Sequence, residues 1–150
     1  MVEYVPLFTH VNQTVIMKVK IDTKEKFHVV TLNEPDLSDN IAAMLLATVK
    51  EYLHKDIKNV VLNLHSTISI TENAALQLQS LQQYFYDQGA SFVICALQPP
   101  VEEILDELEI LETLNVTPTE SEAWDIVQME EYEREMMEDD DILFNSHGEK

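Results

Sequence analysis

Residues 60–78 read V-V-L-N-L-H-S-T-I-S-I-T-E-N-A-A-L-Q-L, and the change of character inside this stretch decides the architecture. The run at 59–64 is short, apolar and β-branched, as expected of a central strand covered on both faces. A polar segment rich in hydroxyls follows. From about Glu72 the apolar residues Ala75, Leu78, Leu81 and Phe85 recur at intervals of three and four, the period of an amphipathic helix that Gly89 is placed to end. Strand, short loop and helix in that order mark an α/β unit.

The same alternation extends in both directions. Downstream, residues 91–97 (S-F-V-I-C-A-L) form a second buried strand stopped by Pro99 and Pro100. Val101, Ile104, Leu105, Leu108 and Leu111 then line one face of a helix whose other face is acidic. After Pro118, Thr119 is positioned to cap a last helix anchored by Trp124 and Val127. Upstream, Val19 and Ile21 alternate with Lys18, Lys20 and Asp22, and 27–32 gives another strand, so these two should pair as an antiparallel hairpin. Between 35 and 54, Ile41, Met44, Leu45, Val49 and Leu53 share a helical face behind the N-cap candidate Ser38. The order β-β-α-β-α-β-α-α implies an α/β fold, a mixed sheet of about four strands with helices packed against it. Residues 1–16, interrupted by Pro6, read as an arm or edge strand, 17–128 as the domain, and 129–150 as an acidic tail, partly helical or disordered.

Composition narrows the function. The chain has 150 residues, one of them cysteine, so no internal disulfide forms and a reducing cytoplasm is expected. Its two glycines, Gly89 and Gly148, exclude glycine-rich phosphate loops. A net charge of −19, with no lysine or arginine from 59 to 133, excludes nucleic acid and anionic membrane surfaces as partners. The five histidines lack the spacing of a zinc site, the carboxylates of 102–112 are spread along a helix rather than converging on a cation, and Cys95 sits in an apolar strand as inert core. His65-Ser66 is the one adjacent pair with catalytic elements, and it reads as the exit from a strand. No enzyme, metal or cofactor is expected.

Val60-Val61-Leu62-Asn63-Leu64, Ile70-Thr71-Glu72-Asn73-Ala74-Ala75 and Thr117-Pro118-Thr119-Glu120-Ser121-Glu122-Ala123 stand in the order and register of a known family. Over residues 17 to 128 the chain resembles the STAS domain of sulphate transporters and anti-sigma factor antagonists, in which V-V-L-D-L leads through a loop into I-D-S-S-G-L. The resemblance implies a non-enzymatic protein-interaction module, an anti-sigma factor antagonist or related switch that binds an anti-sigma factor or related regulatory protein. Its recognition surface would be the loop of Ser66, Ser69, Thr71, Glu72, Asn73 and Ala74.

At the centre of that loop the chain departs from the family. Glu72 and Asn73 occupy the two serine positions, one of which accepts phosphate in partner-switching members, Thr71 occupies the aspartate position, and Ala74 replaces the glycine. The usual phosphoacceptor is absent, which leaves Thr71 and Ser69 as candidates for a shifted one. Two readings of Glu72 stand side by side. In the first, Ser69-x-x-Glu72 is a capping box and the carboxylate offsets the helix dipole. In the second, a permanent negative charge stands where relatives acquire one by phosphorylation. A small-ligand or lipid-binding domain with a pocket beside the same helix N-terminus is the alternative from another class.

Overall fold

The protein was analysed as a computed structural model, which describes the backbone of residues 2–8 and 14–147 and the side chains of 17–137. The four strands expected from the sequence are present. β2 (Thr14–Thr23) and β3 (Phe27–Leu32) form the antiparallel hairpin, with Val19 opposite Leu32, and β5 (Asn59–Asn63) and β7 (Phe92–Cys95) continue the sheet in parallel. Two further strands complete it. β1 (Val2–Phe8) pairs antiparallel with β2 at one edge, where a proline is tolerated, and β8 (Val116–Thr117) pairs with β7 at the other. The six-stranded order is β1-β2-β3-β5-β7-β8. A separate two-residue ladder joins β4 (Asp36–Leu37) to β6 (Ser69–Ile70).

Side chains alternate across the sheet, so each strand feeds two cores. On one face Val30, Leu32, Val60, Leu62, Phe92 and Ile94 pack against α1 (Asp39–Lys50), α2 (Glu72–Asp87) and α3 (Pro99–Glu107). On the other, Phe27, Val29, Val61, Val93 and Cys95 meet α4 (Glu120–His147), through Ala123 and Val127. Trp124 stacks on Phe27 at 5.0 Å between ring centroids.

The expected caps form at α1 and α4. The Ser38 hydroxyl accepts from Ile41 N, and the Thr119 hydroxyl accepts from Glu122 N while donating to the Glu122 carboxylate. α2 closes with Gly89 at φ 75°, where Gly89 N donates to Tyr86 O and Ala90 N to Phe85 O. α3 is shorter than its apolar spacing suggests. It stops at Glu107 because the same pair of bonds forms around Glu109 at φ 62°, Glu109 N to Asp106 O and Ile110 N to Leu105 O, and this turns Leu111 into a separate 3₁₀ turn. Leu53 likewise falls in a 3₁₀ turn after α1. The last helix, expected to continue only a turn or two beyond Met129, runs to His147.

Two asparagines of β5 hold α4 on the sheet. Asn63 Nδ2 donates to Glu120 at 2.8 Å and Asn59 Nδ2 to Glu131 at 2.7 Å. The eleven helical steps from Glu120 to Glu131 span roughly 16 Å, comparable to the length of the strand, so α4 runs antiparallel to β5. Asn59 also donates to Lys26 O and accepts from Ser91 N.

Candidate functional site

The loop of interest leaves the C-terminal end of β5, the end at which open parallel sheets carry their sites. Asn63 fixes the exit: its Oδ1 accepts from both His65 N and His65 Nδ1, while its amide reaches Glu120. His65 O accepts from Gln98 Nε2 at 2.6 Å, which ties the loop to the start of α3. The following residues turn back toward α1. Thr67 is fully buried and its hydroxyl donates to Glu34 O, while Ile68 N and Ser69 N both donate to Pro35 O. The β4–β6 ladder then sets Asp36 opposite Ser69 and Leu37 opposite Ile70.

This pairing places the N-termini of α1 and α2 side by side. The Ser69 hydroxyl donates to Asp36 Oδ1 at 2.5 Å, and the Thr71 hydroxyl donates to Asp39 Oδ1 at 2.6 Å. Thr71, not Ser69, is the N-cap of α2: its Oγ accepts from Ala74 N at 3.0 Å. The Ser69-x-x-Glu72 capping box therefore does not form, because Ser69 lies in β6 and is engaged by Asp36. Glu72 keeps the other part of that reading, a carboxylate in the first turn of a helix. Ala74 is buried and takes no left-handed backbone, so the loop closes without the family's glycine.

Of the residues singled out in the sequence, Ser69, Thr71, Glu72 and Asn73 are exposed together at the start of α2, Ser66 is half-buried at the loop's beginning, and Ala74 is in the core. The structure adds Asp36 and Asp39, which no local pattern connects to a loop thirty residues away. It also adds two apolar side chains open to solvent, Ile68 in the loop, 55% exposed, and Leu76, 43% exposed and four residues beyond Glu72 on the same helix face. Ile68 had a visible signal, a large apolar residue amid hydroxyls. No lysine or arginine occurs in residues 33–49 or 59–133, so the paired helix starts form a surface of carboxylates and hydroxyls.

Clefts of about 480 and 450 Å³ lie elsewhere. The first is lined by Lys58, Gly89 and Arg134 at the opposite end of the sheet, the second by Ala96, Glu102 and Pro118. Among the described residues no group of three or more histidine, cysteine, aspartate or glutamate side chains is placed to hold a metal ion, and no helix is long and apolar enough to cross a membrane. Cys95 is buried, and that burial, with the Glu120 carboxylate adding to it, pushes its thiol up to about 12.

A mixed sheet with helices on both faces and a loop fixed between two helix starts defines a class of small α/β domain. Residues 9–123 match the STAS domain, and the chain belongs to that family. Solved structures with the same fold include an anti-sigma factor antagonist from Mycobacterium paratuberculosis, 13% identical over 75% of this chain and 94% of that one, with a TM-score of 0.64. Another is an anti-sigma-factor antagonist (STAS) domain protein from Planctomyces limnophilus, 15% identical over 73% of this chain and 97% of that one, TM-score 0.63. The Bacillus cell fate determinant SpoIIAA in its phosphorylated form is 12% identical over 73% and 98% of the two chains, TM-score 0.55. No curated protein matches significantly.

Proposed function

We propose that the protein is a non-enzymatic regulatory module of a bacterial cytoplasm that binds an anti-sigma factor or related regulatory protein through the loop between β5 and α2, and that it does so without a phosphorylation switch. The observation that carries this reading is the state of the two remaining hydroxyl candidates. Ser69 and Thr71 each donate to an aspartate at 2.5 and 2.6 Å. A phosphate at either position carries about −1.5 to −2 charges and would be forced against that carboxylate, with no lysine or arginine from either helix start to receive it. Glu72 instead supplies a fixed negative charge on the same surface, about −1, with fewer acceptor oxygens than a phosphate. Ile68 and Leu76 offer apolar anchors, and the surrounding carboxylates favour a partner with a basic rim. The pocket-based alternative finds no support in the clefts described above, which are lined by other residues.

The test is a capture from the native cell extract with wild-type and Glu72→Lys chains in parallel, followed by calorimetry on the captured protein. We expect an ATPase-type anti-sigma factor on the wild type and a loss of about tenfold or more in affinity for the variant. Incubation of the pair with ATP and peptide mapping of residues 59–77 should find neither Ser69 nor Thr71 phosphorylated. Stoichiometric phosphate at either position overturns the switch-free reading, and equal binding by the variant removes Glu72 from the interface.

A further inference from the structure

The middle of α4 presents a surface that the proposed recognition loop does not use. Glu120 is held at the C-terminal end of β5 and Glu131 at its N-terminal end, so α4 runs toward the pole opposite the loop, where Arg134 makes a further side-chain contact with the domain. At 100° per residue, Ala123, Val127, Glu131 and Arg134 fall on the side turned to the sheet. The first two are fully buried, Glu131 accepts from Asn59, and Arg134 reaches the Ser91 hydroxyl at 3.3 Å. Met129, Tyr132 and Met136, at i, i+3 and i+7, fall on the reverse side within about 60° of one another, with Met137 on their flank. They are 52%, 63%, 46% and 63% exposed, respectively. Single exposed methionines are ordinary, but an aligned apolar set on the outward side of a helix, where polar residues belong, is the pattern of a helix that receives another. Methionine is also the side chain best able to fit an unlike partner surface.

Charge identifies the occupant. Between residues 120 and 147 the helix carries eleven acidic residues and one base, Arg134. Glu130 and Glu131 are engaged with Ser91, Asn115 and Asn59, while Glu133 and Glu135 are exposed beside the apolar set. A second copy of the helix laid along this face would oppose acid to acid. A helix with an apolar stripe flanked by lysine or arginine would satisfy both features at once. We propose that the outer face of α4 at Met129, Tyr132 and Met136 is a docking site for a basic amphipathic helix of a partner protein, separate from the loop and free to be occupied at the same time.

The test uses the full chain and two synthetic peptides of identical leucine and lysine composition, one with leucines at i, i+3, i+4 and i+7 and the other scrambled. Calorimetry should show the amphipathic peptide binding at least about tenfold more tightly, weakening as salt is raised. The triple variant M129Q, Y132Q, M136Q, unchanged in net charge, should lose that preference, and Glu72→Lys should retain it, which separates this site from the loop. Methyl resonances of Met129 and Met136 in the wild type should shift with the amphipathic peptide, a readout independent of how well the triple variant folds. Equal affinity for the two peptides, an unaltered preference in the triple variant, or methyl shifts confined to other methionines overturns the proposal. So does sedimentation showing a wild-type dimer that the triple variant dissolves, since the occupant is then a second copy.

Discussion

The two faces of the sheet are closed by different means. One is covered by three helices over a broad apolar core that includes Phe85, Phe92, Leu45, Leu78 and Leu105, all buried. The other, among the described residues, rests on one helix, a small cluster around Val61, Val93 and Val127, and a set of Asn–Glu hydrogen bonds at its two ends. The first face holds by area removed from water, the second by a few directed bonds that set where α4 sits along β5. The first should therefore govern global stability and the second the docking of one helix. Phe85→Ala tests this most severely. Phe85 is fully buried and lies 5.5 Å from Phe92 between ring centroids, and its loss should cost about 3–5 kcal/mol in urea unfolding, with the whole chain affected. Val127→Ala should cost less, about 1–3 kcal/mol, and hydrogen exchange should show α4 opening before the sheet. Simultaneous loss of protection in both elements would mean that the faces are one cooperative unit.

The two asparagine clasps sharpen the comparison. Asn59 is buried and serves Lys26 O, Glu131 and Ser91 N together, so Asn59→Ala leaves the buried Ser91 N unpaired and should cost about 1–3 kcal/mol. Asn63→Ala should cost less, about 1 kcal/mol, because Glu120 and His65 are exposed and water replaces the lost bonds. Its larger consequence would be a looser loop exit, visible as broadened amide resonances at His65 and Ser66.

How much of this was legible follows the physics of each element. β3, β5, β7 and the greater part of α2 were readable because burial on one or two faces imposes a period on the sequence. The β4–β6 ladder was not: two residues per strand have no period, and the pairing of Asp36 with Ser69 is set by the crossover, not by either segment. For the same reason the candidate site was half visible. Ser69, Thr71, Glu72 and Asn73 stand on the loop that the family resemblance marks, whereas Asp36 and Asp39 arrive from another part of the chain and change what those hydroxyls can do. Repulsion among the acids of 130–141 argued for a short last helix. Glutamate, methionine and arginine are nonetheless good helix formers, and Arg134 lies four residues after Glu130, a spacing that supports a helix.

A smaller effect should appear with pH at the rim of the three-helix face. His28 stacks on Tyr52 with ring centroids 3.9 Å apart, and its two ring nitrogens meet Thr23 Oγ and Ile57 O at 2.9 Å each. Burial holds its pKa below the ordinary 6.5, against the pull of the Ile57 carbonyl and with a small contribution from Lys55. The unfolded chain therefore binds this proton more readily than the folded one. Its contribution to stability is complete above about pH 6.5 and is lost as pH falls from there toward the folded value. Thermal unfolding between pH 8 and 5 should show that decline, and His28→Gln should flatten it; an unchanged slope would assign the proton to another group.

The smallest effect concerns the ends of two helices on the crowded face, which close with the same pair of hydrogen bonds but unlike residues. α2 ends on Gly89 at φ 75°, a conformation that glycine adopts without penalty. α3 ends on Glu109 at φ 62°, where a side chain costs roughly 1–2 kcal/mol. A Cβ built on Gly89 meets nothing within 4 Å, so Gly89→Ala isolates the backbone cost with no clash added and should destabilise by about 1 kcal/mol. Glu109→Gly relieves that cost but gives the unfolded chain more freedom to lose, which leaves a net gain of about 0.5–1 kcal/mol. It also removes one acid from a chain whose net charge is −19, a change in the same direction. Glu109→Gln supplies the control, since it removes the charge and keeps the side chain. If the glutamine variant gains as much as the glycine variant, charge and not backbone conformation limits that helix end, and the two ends of the three-helix face differ in electrostatics alone.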